Sequence, residues 1–320
     1  MRLAFFGSDD FGLLSLQALN AAGHEVAAVF TQPDRPAGRG QHMQRTPIGR
    51  FAHNLGLPVY QPETLKEGAP VKILQHIAPE LAVVVAYGHL IPPSMLAVPR
   101  HGFINLHASL LPKYRGAAPV PHAILNGETQ TGVTIFRLNE RLDEGDILAQ
   151  EVEPILPRDT SATLLARLAV LGAKVLTQTI ASLIAGSIVP RPQPATGASH
   201  APRLRKEDGR IRWNTSCAQI DRMVRAFQPW PLAFTFFPTA HGEQRRVVVL
   251  SVEPEPAASI PDSTTCLPGT ILIAHAKRGI VIQCNDGCLR LTRIKPEGRS
   301  AMSDVEYMRS AVLPLRSVLI

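Results

Sequence analysis

Short apolar runs punctuate the first hundred residues at intervals that suit alternating strands and helices. Leu3–Phe6, Val26–Phe30, Leu81–Ala86 and Phe103–Leu106 are each of strand length, and helical patterns separate them. Between the first two runs, Phe11, Leu14, Ala18 and Ala22 recur at helical spacing. Ser8 or Asp9 can cap the start of that helix and Gly23 can end it. The alternation predicts an α/β fold on an open, mostly parallel, Rossmann-like sheet. A longer pattern from Ser161 to Ala185, with Leu164, Leu168, Leu171, Val175 and Ile180 near helical spacing before Gly186, predicts a helix that closes this domain.

Residues 189–203 change character. Four prolines among small and polar residues predict an extended linker with little packing. The chain is therefore expected to consist of an α/β domain at 1–188, a linker at 189–203 and a C-terminal domain at 204–320. In the last, a helix from about Ser216 to Phe227 precedes runs at Leu232–Phe237, Arg246–Val252, Gly269–Ile273, Ile280–Cys284 and Leu289–Ile294. Five short strands predict a small OB-like β-barrel.

The longest apolar run, Leu81–Tyr87, is far below the roughly 20 residues that span a bilayer. Ser8, Asp9 and Asp10 interrupt the N-terminal apolar stretch before it can form a signal h-region. A soluble, cytoplasmic protein with no membrane partner is expected. Cys217, Cys266, Cys284 and Cys288 are too few and too irregular for a disulfide framework or a CxxC metal pair. Cys284 and Cys288 flank Asn285-Asp286-Gly287 and are expected as thiols across a hairpin. The turn Gly7-Ser8-Asp9-Asp10-Phe11-Gly12 lacks G-x-G-x-x-G spacing, and its acidic pair would repel a pyrophosphate, which argues against a dinucleotide cofactor. Charge separates the halves: residues 1–188 hold 15 Lys/Arg and 15 Asp/Glu, residues 189–320 hold 18 and 11, so the net +7 lies entirely in the second part. Either an anionic partner such as nucleic acid or a basic solubilising surface accounts for it.

In Phe103-Ile104-Asn105-Leu106-His107 the polar side chains alternate with apolar ones, so a strand projects Asn105 and His107 from one face. They stand at the strand's C-terminal end, where open α/β sheets bind ligands, and Ser109-Leu110-Leu111-Pro112 follows as a rigid turn. A lone histidine there is more often structural. The segment Leu142-Asp143-Glu144-Gly145-Asp146-Ile147 adds carboxylates in a glycine-containing loop after the apolar run Val133–Leu138, within reach of the same cleft.

Together, Asn105-Leu106-His107, Ser109-Leu110-Leu111-Pro112, Arg115-Gly116 and Leu142-Asp143-x-Gly145 resemble the folate-dependent formyltransferases. The likeness continues through Phe30–Gly40 and Arg225-Ala226-Phe227-x-Pro229-Trp230-Pro231, and is similar to the branch of that family acting on charged initiator tRNA. It implies a monomer that moves a formyl group from 10-formyltetrahydrofolate to the α-amine of methionyl-initiator-tRNA without a metal. Amine attack on the formyl carbon develops an oxyanion, for which Asn105 and protonated His107 can donate hydrogen bonds. The attacking nitrogen must lose a proton, and Asp143 matches the family's position for that role. The resemblance assigns the folate site to Ser109, Leu110, Leu111 and Pro112 with Ala86, Tyr87, Gly88, His89 and Leu90.

For the tRNA, residues 31–48 lack hydrophobic periodicity and carry Arg35, Arg39, His42 and Arg45, which predicts a long, mobile, basic connection. The resemblance takes this loop to the acceptor stem, with Arg39 at the key basic position. Arg205 and Lys206, with Arg203, Arg210 and Arg212, are expected to meet phosphates. Arg290, Arg293, Lys295 and Arg299 give the barrel an RNA-binding character. A sugar-nucleotide N-formyltransferase shares the three catalytic residues and can also carry a barrel-like C-terminal domain, but the basic character of the loop and barrel here disfavours it. A purine-pathway formyltransferase has no need of residues 204–320. A non-catalytic RNA-binding scaffold should have lost some of the chemistry residues, yet all three are present.

Overall fold

The computed structural model describes residues 1–37, 40, 42–66, 68–239, 242–256 and 266–319. They form two compact units, the first made of residues 1–120, 129–155 and 163–202, the second of 121–128, 156–162 and 203–320.

The first unit begins with β1 (Arg2–Gly7), α1 (Leu13–Ala21) and β2 (Glu25–Phe30). A hairpin of β3 (Arg35–Ala37) and β4 (His42–Gln44) follows, then α2 (Pro47–Asn54), β5 (Val59–Tyr60), α3 (Ala69–Ile77), β6 (Leu81–Val85), α4 (Pro93–Leu96) and β7 (Phe103–His107). Past α5 (Pro119–Leu125), most of which belongs to the second unit, the first unit continues with β8 (Gln130–Arg137), β9 (Ile147–Pro154) and then most of α6 (Ser161–Ile184). The sheet runs β5-β2-β1-β6-β7-β8-β9. Its first five strands are parallel; β8 then pairs antiparallel with β7, and β9 antiparallel with β8. Helices cover both faces of such a sheet, which is why β6, Leu-Ala-Val-Val-Val, is buried at every position.

Within 31–48, the described residues carry more regular structure than their composition predicts. Besides the β3–β4 pair, Thr46 accepts a hydrogen bond from Gly49 N at 2.9 Å and Pro47 occupies the first turn, so α2 starts inside the expected connection. The β4 residues are all exposed, so this short pair leaves no apolar alternation to read. The helix α6 is long and apolar enough, by length and composition, to cross a membrane. Leu164, Leu168, Leu176 and Ile180 are nevertheless fully buried in the protein, the signature of a core helix. It seats against β7 through Gly172, where a Cβ would lie 2.7 Å from Leu106 Cδ2.

The segment expected as a loosely packed linker is hydrogen-bonded within the first unit. Arg191 exchanges backbone hydrogen bonds with Ile147, and Ala201, fully buried, donates its N–H to Arg115 O at 2.7 Å and accepts from Ala118 N at 3.1 Å. Composition reports how little a segment packs on itself; here its partners are loops distant in sequence.

The second unit contains α7 (Cys217–Ala226), β10 (Phe234–Pro238), β11 (Gln244–Glu255), β12 (Ile271–His275), β13 (Gly279–Gln283), β14 (Cys288–Pro296), β15 (Met302–Ser303) and α8 (Asp304–Met308). Antiparallel pairing in the order β10-β11-β14-β13-β12, with β15 on β14, makes a curled half-barrel. Register shifts between Val249 and Ser251 and between Ser251 and Glu253 bend the long β11 around its core. Trp213, Phe237, Val247, Val249, Leu289, Leu291 and Ile294 fill that core. Cys284 N donates to Gly287 O at 2.7 Å, closing the β13–β14 hairpin that the Asn-Asp-Gly turn predicts. The segments 121–128 and 156–162 belong to this unit, the latter held by α7 and the residues just after it: Arg225 Nη1 donates to Asp159 O at 3.0 Å and Ala162 N to Gln228 O at 3.2 Å.

Candidate active site

The strand β7 places Asn105 opposite Phe136 of β8 and His107 opposite Thr134, two residues apart and on one face. Asn105 is half-buried; His107 is 6% exposed. Its Nε2 lies 2.8 Å from Tyr114 O. A carbonyl can only accept, so Nε2 carries the hydrogen and Nδ1 is the ring nitrogen left to exchange a proton. Nδ1 lies 3.9 Å from Asp143 Oδ2.

Asp143 is 7% exposed and adopts φ 53°, a left-handed conformation that aspartate tolerates better than most side chains. Its Oδ2 accepts the Gly116 N–H at 2.8 Å. Gly116 is required for this approach: φ is 115° and a Cβ would sit 2.8 Å from Ala201 O. Residues 114–116 therefore hold both partners, Tyr114 through the imidazole and Gly116 through the carboxylate. Ser199 fixes that loop in turn, its Oγ accepting from Tyr114 N at 2.9 Å and its carbonyl from Arg115 N at 2.8 Å.

The turn after β7 is fastened by residues that the sequence reading did not single out. Thr134 Oγ1 donates to Ser109 O at 2.6 Å and accepts from Leu111 N at 3.1 Å. Gln150 Nε2 bridges Leu111 O at 2.8 Å and Thr134 Oγ1 at 3.0 Å, and Ser109 Oγ donates to Lys113 O at 2.6 Å. A fully buried threonine inside the apolar run Val133–Phe136 was the available signal for this hub. On the neighbouring strand ends, Ser8 N donates to Ala86 O at 3.2 Å. Ser8 Oγ and Gln32 Nε2 both donate to Tyr87 O at 3.2 Å, tying the C-terminal ends of β1, β2 and β6 together. Ala86 and Gly88 have positive φ. The Tyr87 ring turns inward and packs edge-on against Phe6, so Ala86, Gly88 and Leu90 are the exposed members of the segment and His89 is half-buried. Tyr87 Oη is buried without a partner, and desolvation pushes the phenol up to about 12.

Among the described residues no group of three or more His, Cys, Asp or Glu is placed to hold a metal ion. Of the expected RNA contacts, Arg39 lies outside the described residues. Arg35 is exposed beside Glu63 at 3.3 Å, and Arg45 stands 4.0 Å from Asp34. Arg205 and Lys206 are exposed at the start of the second unit's main segment. Arg290 instead grips the buried Asp304, at 2.8 Å through Nε and 3.2 Å through Nη2, so it acts within the half-barrel.

A family model described as formyl transferase matches residues 1–180, and one described as formyl transferase, C-terminal domain, matches residues 203–312. The chain belongs to the formyltransferase family. It is 41% identical over 307 residues to a methionyl-tRNA formyltransferase of Thermodesulfovibrio yellowstonii, covering 96% of this chain and 94% of the relative. A methionyl-tRNA formyltransferase of Pelotomaculum thermopropionicum is 40% identical over 319 residues, covering 100% and 98%. Among solved structures, HypX from Aquifex aeolicus in complex with tetrahydrofolic acid superposes with a TM-score of 0.65 at 17% identity, covering 98% of this chain and 48% of that one. WlaRD, a sugar 3N-formyl transferase, gives 0.63 at 18%, covering 94% and 99%. At such identities these two establish a shared formyltransferase fold.

Proposed function

We propose that the protein transfers the formyl group of 10-formyltetrahydrofolate to the α-amine of methionyl-initiator-tRNA in the cytoplasm, acting as a monomer. The observation that carries the chemistry is the buried His107–Asp143 pair beside Asn105, with Nε2 of the imidazole already committed to Tyr114. Two methionyl-tRNA formyltransferases similar over nearly their whole length support the acceptor.

The reaction forms a bond from the amine nitrogen to the formyl carbon and breaks the bond from that carbon to the folate nitrogen. The Asn105 amide and Nδ1–H of protonated His107 stabilise the oxyanion as it develops. Asp143 takes the proton that the attacking amine must lose, and the folate nitrogen gains one on departure. The turn Ser109–Pro112 and the segment 86–90, exposed at Ala86, Gly88 and Leu90, follow neighbouring strand ends and suit a flat pterin with polar edges. In this reading residues 1–188 carry the chemistry, and residues 204–320 hold the tRNA through exposed groups such as Arg205 and Lys206, assisted by Arg35, Arg39 and Arg45.

The test combines the protein, 10-formyltetrahydrofolate and methionyl-initiator-tRNA, with free methionine and an Asn105→Ala variant alongside. N-formylmethionyl ester formed only from charged tRNA by the unaltered protein is the expected result. Formylation of an amino-sugar nucleotide in its place would move the assignment to the sugar-modifying branch, and absence of both activities would point to a scaffold.

A further inference from the structure

Gln193 lies in the proline-rich segment, outside every motif that marks the chemistry. Its Nε2 offers two N–H bonds, divided between two carbonyls of a single loop: Asp143 O at 2.7 Å and Gly145 O at 2.9 Å. Its Oε1 accepts from Arg115 Nη2 at 2.8 Å and Nε at 3.2 Å. Arg115 completes the ring by pairing Nη1 with Glu144 at 2.9 Å. One amide thereby joins the loop that carries Asp143 to the loop whose Tyr114 and Gly116 hold His107 and the Asp143 carboxylate.

We propose that Gln193 is a positioning residue for formyl transfer: it holds the Asp143 backbone where the carboxylate faces His107 Nδ1. The need for such a device is visible in the loop. A non-glycine residue at positive φ is strained and persists only where its surroundings over-determine it. Residues 142–146 precede β9, and the carbonyls on either side of Glu144 find their side-chain donor in Gln193. An amide suits the task because it presents two donors to the carbonyls and an acceptor to the guanidinium at once. A carboxylate could serve Arg115 but would set its oxygens against both carbonyls.

The inference rests on the reading of Asp143 as the proton acceptor, so Asp143→Asn is assayed beside Gln193→Met and Gln193→Glu. For both Gln193 variants kcat is expected to fall about 100-fold, the scale of an ångström-sized misplacement, while KM for each substrate stays within about 3-fold. Hydrogen exchange at the amides of 142–146 should quicken, with protection of β6 and β7 unchanged. If Gln193→Met fails to fold, Gln193→Glu, which keeps the Arg115 pair, provides the reading. A kcat within about 3-fold of the original in a folded variant, or a change confined to KM, overturns the proposal. Full activity of Asp143→Asn would instead overturn the reading of the site, whereas loss there with intact Gln193 variants sinks the positioning role alone.

Discussion

Gly145→Ala tests how tightly the Asp143 loop is set against the sheet. A Cβ at this position would lie 1.7 Å from Arg137 O and 2.8 Å from Arg137 C, where real contacts essentially never fall under 3.0 Å. The obstacle is backbone at the end of β8, so no side chain can rotate away. Restoring tolerable contact requires an opening of about 1.3 Å between loop and strand, which overpacking resists at a cost of about 1–3 kcal/mol. A shift of that size would carry Asp143, two residues earlier, away from its present 3.9 Å separation from His107 Nδ1. Misplacement by about an ångström costs roughly 100-fold in rate, equivalent to about 2.7 kcal/mol of barrier. Initial rates of N-formylmethionyl-tRNA formation at saturating substrates give kcat, and thermal melting gives stability. Gly23→Ala is the control: it has φ 77° and open space around its would-be Cβ, so it should lose about 1 kcal/mol of stability and keep its kcat. A Gly145→Ala protein with kcat within about 3-fold of the original would refute the claim that this close approach sets the catalytic geometry.

Asp143→Asn retains an acceptor for Gly116 N but no base, so kcat should drop by about 10²–10⁴ with little change in KM, measured in the same assay. Thr134→Val strips a donor from Ser109 O and an acceptor from Leu111 N; a loss of about 2–4 kcal/mol in denaturant unfolding is expected, with Thr134→Ser close to the original. Tyr87→Phe removes a buried, unpartnered hydroxyl and should leave stability unchanged or raise it by about 1 kcal/mol. Because burial raises the folded-state value to about 12, the neutral phenol's contribution is complete below about pH 10 and is lost as pH climbs towards about 12. Unfolding across that window should show a decline that Tyr87→Phe diminishes. Asp304→Ala leaves Ile280 N, Val305 N and the half-buried Arg290 without their acceptor, and should destabilise the half-barrel by about 2–4 kcal/mol in urea titration.

Local pattern carried much of this molecule. The βαβ opening, the buried strand β6, the long helix α6 and the strands of the half-barrel follow from periodicities of 3.6 and 2, because burial of one face imposes those periods wherever the element sits. The shared face of Asn105 and His107 follows equally from alternation along β7, and the joint motif assigned the family that the two formyltransferase domains establish. The β3–β4 hairpin escaped because its β4 strand buries nothing, and Arg290 reads as a surface cation until its partner Asp304 is located at the start of α8. Thr134, Gln150, Ser199 and Gln193 escaped for a related reason: a single polar side chain in a strand or a proline-rich stretch has no period, and its meaning lies in the carbonyl or amide it meets.

Local pattern thus specified most of the strands and helices, the family, and the place of the charge excess, since each depends on neighbours close along the chain. The folded chain adds that Nε2 rather than Nδ1 of His107 is committed, that Asp143 faces it from a left-handed turn, and that residues 191–201 brace the loops at 114–116 and 142–146. Those facts depend on hydrogen bonds between groups far apart in sequence, whose direction and distance are set by the fold and leave no local mark on composition.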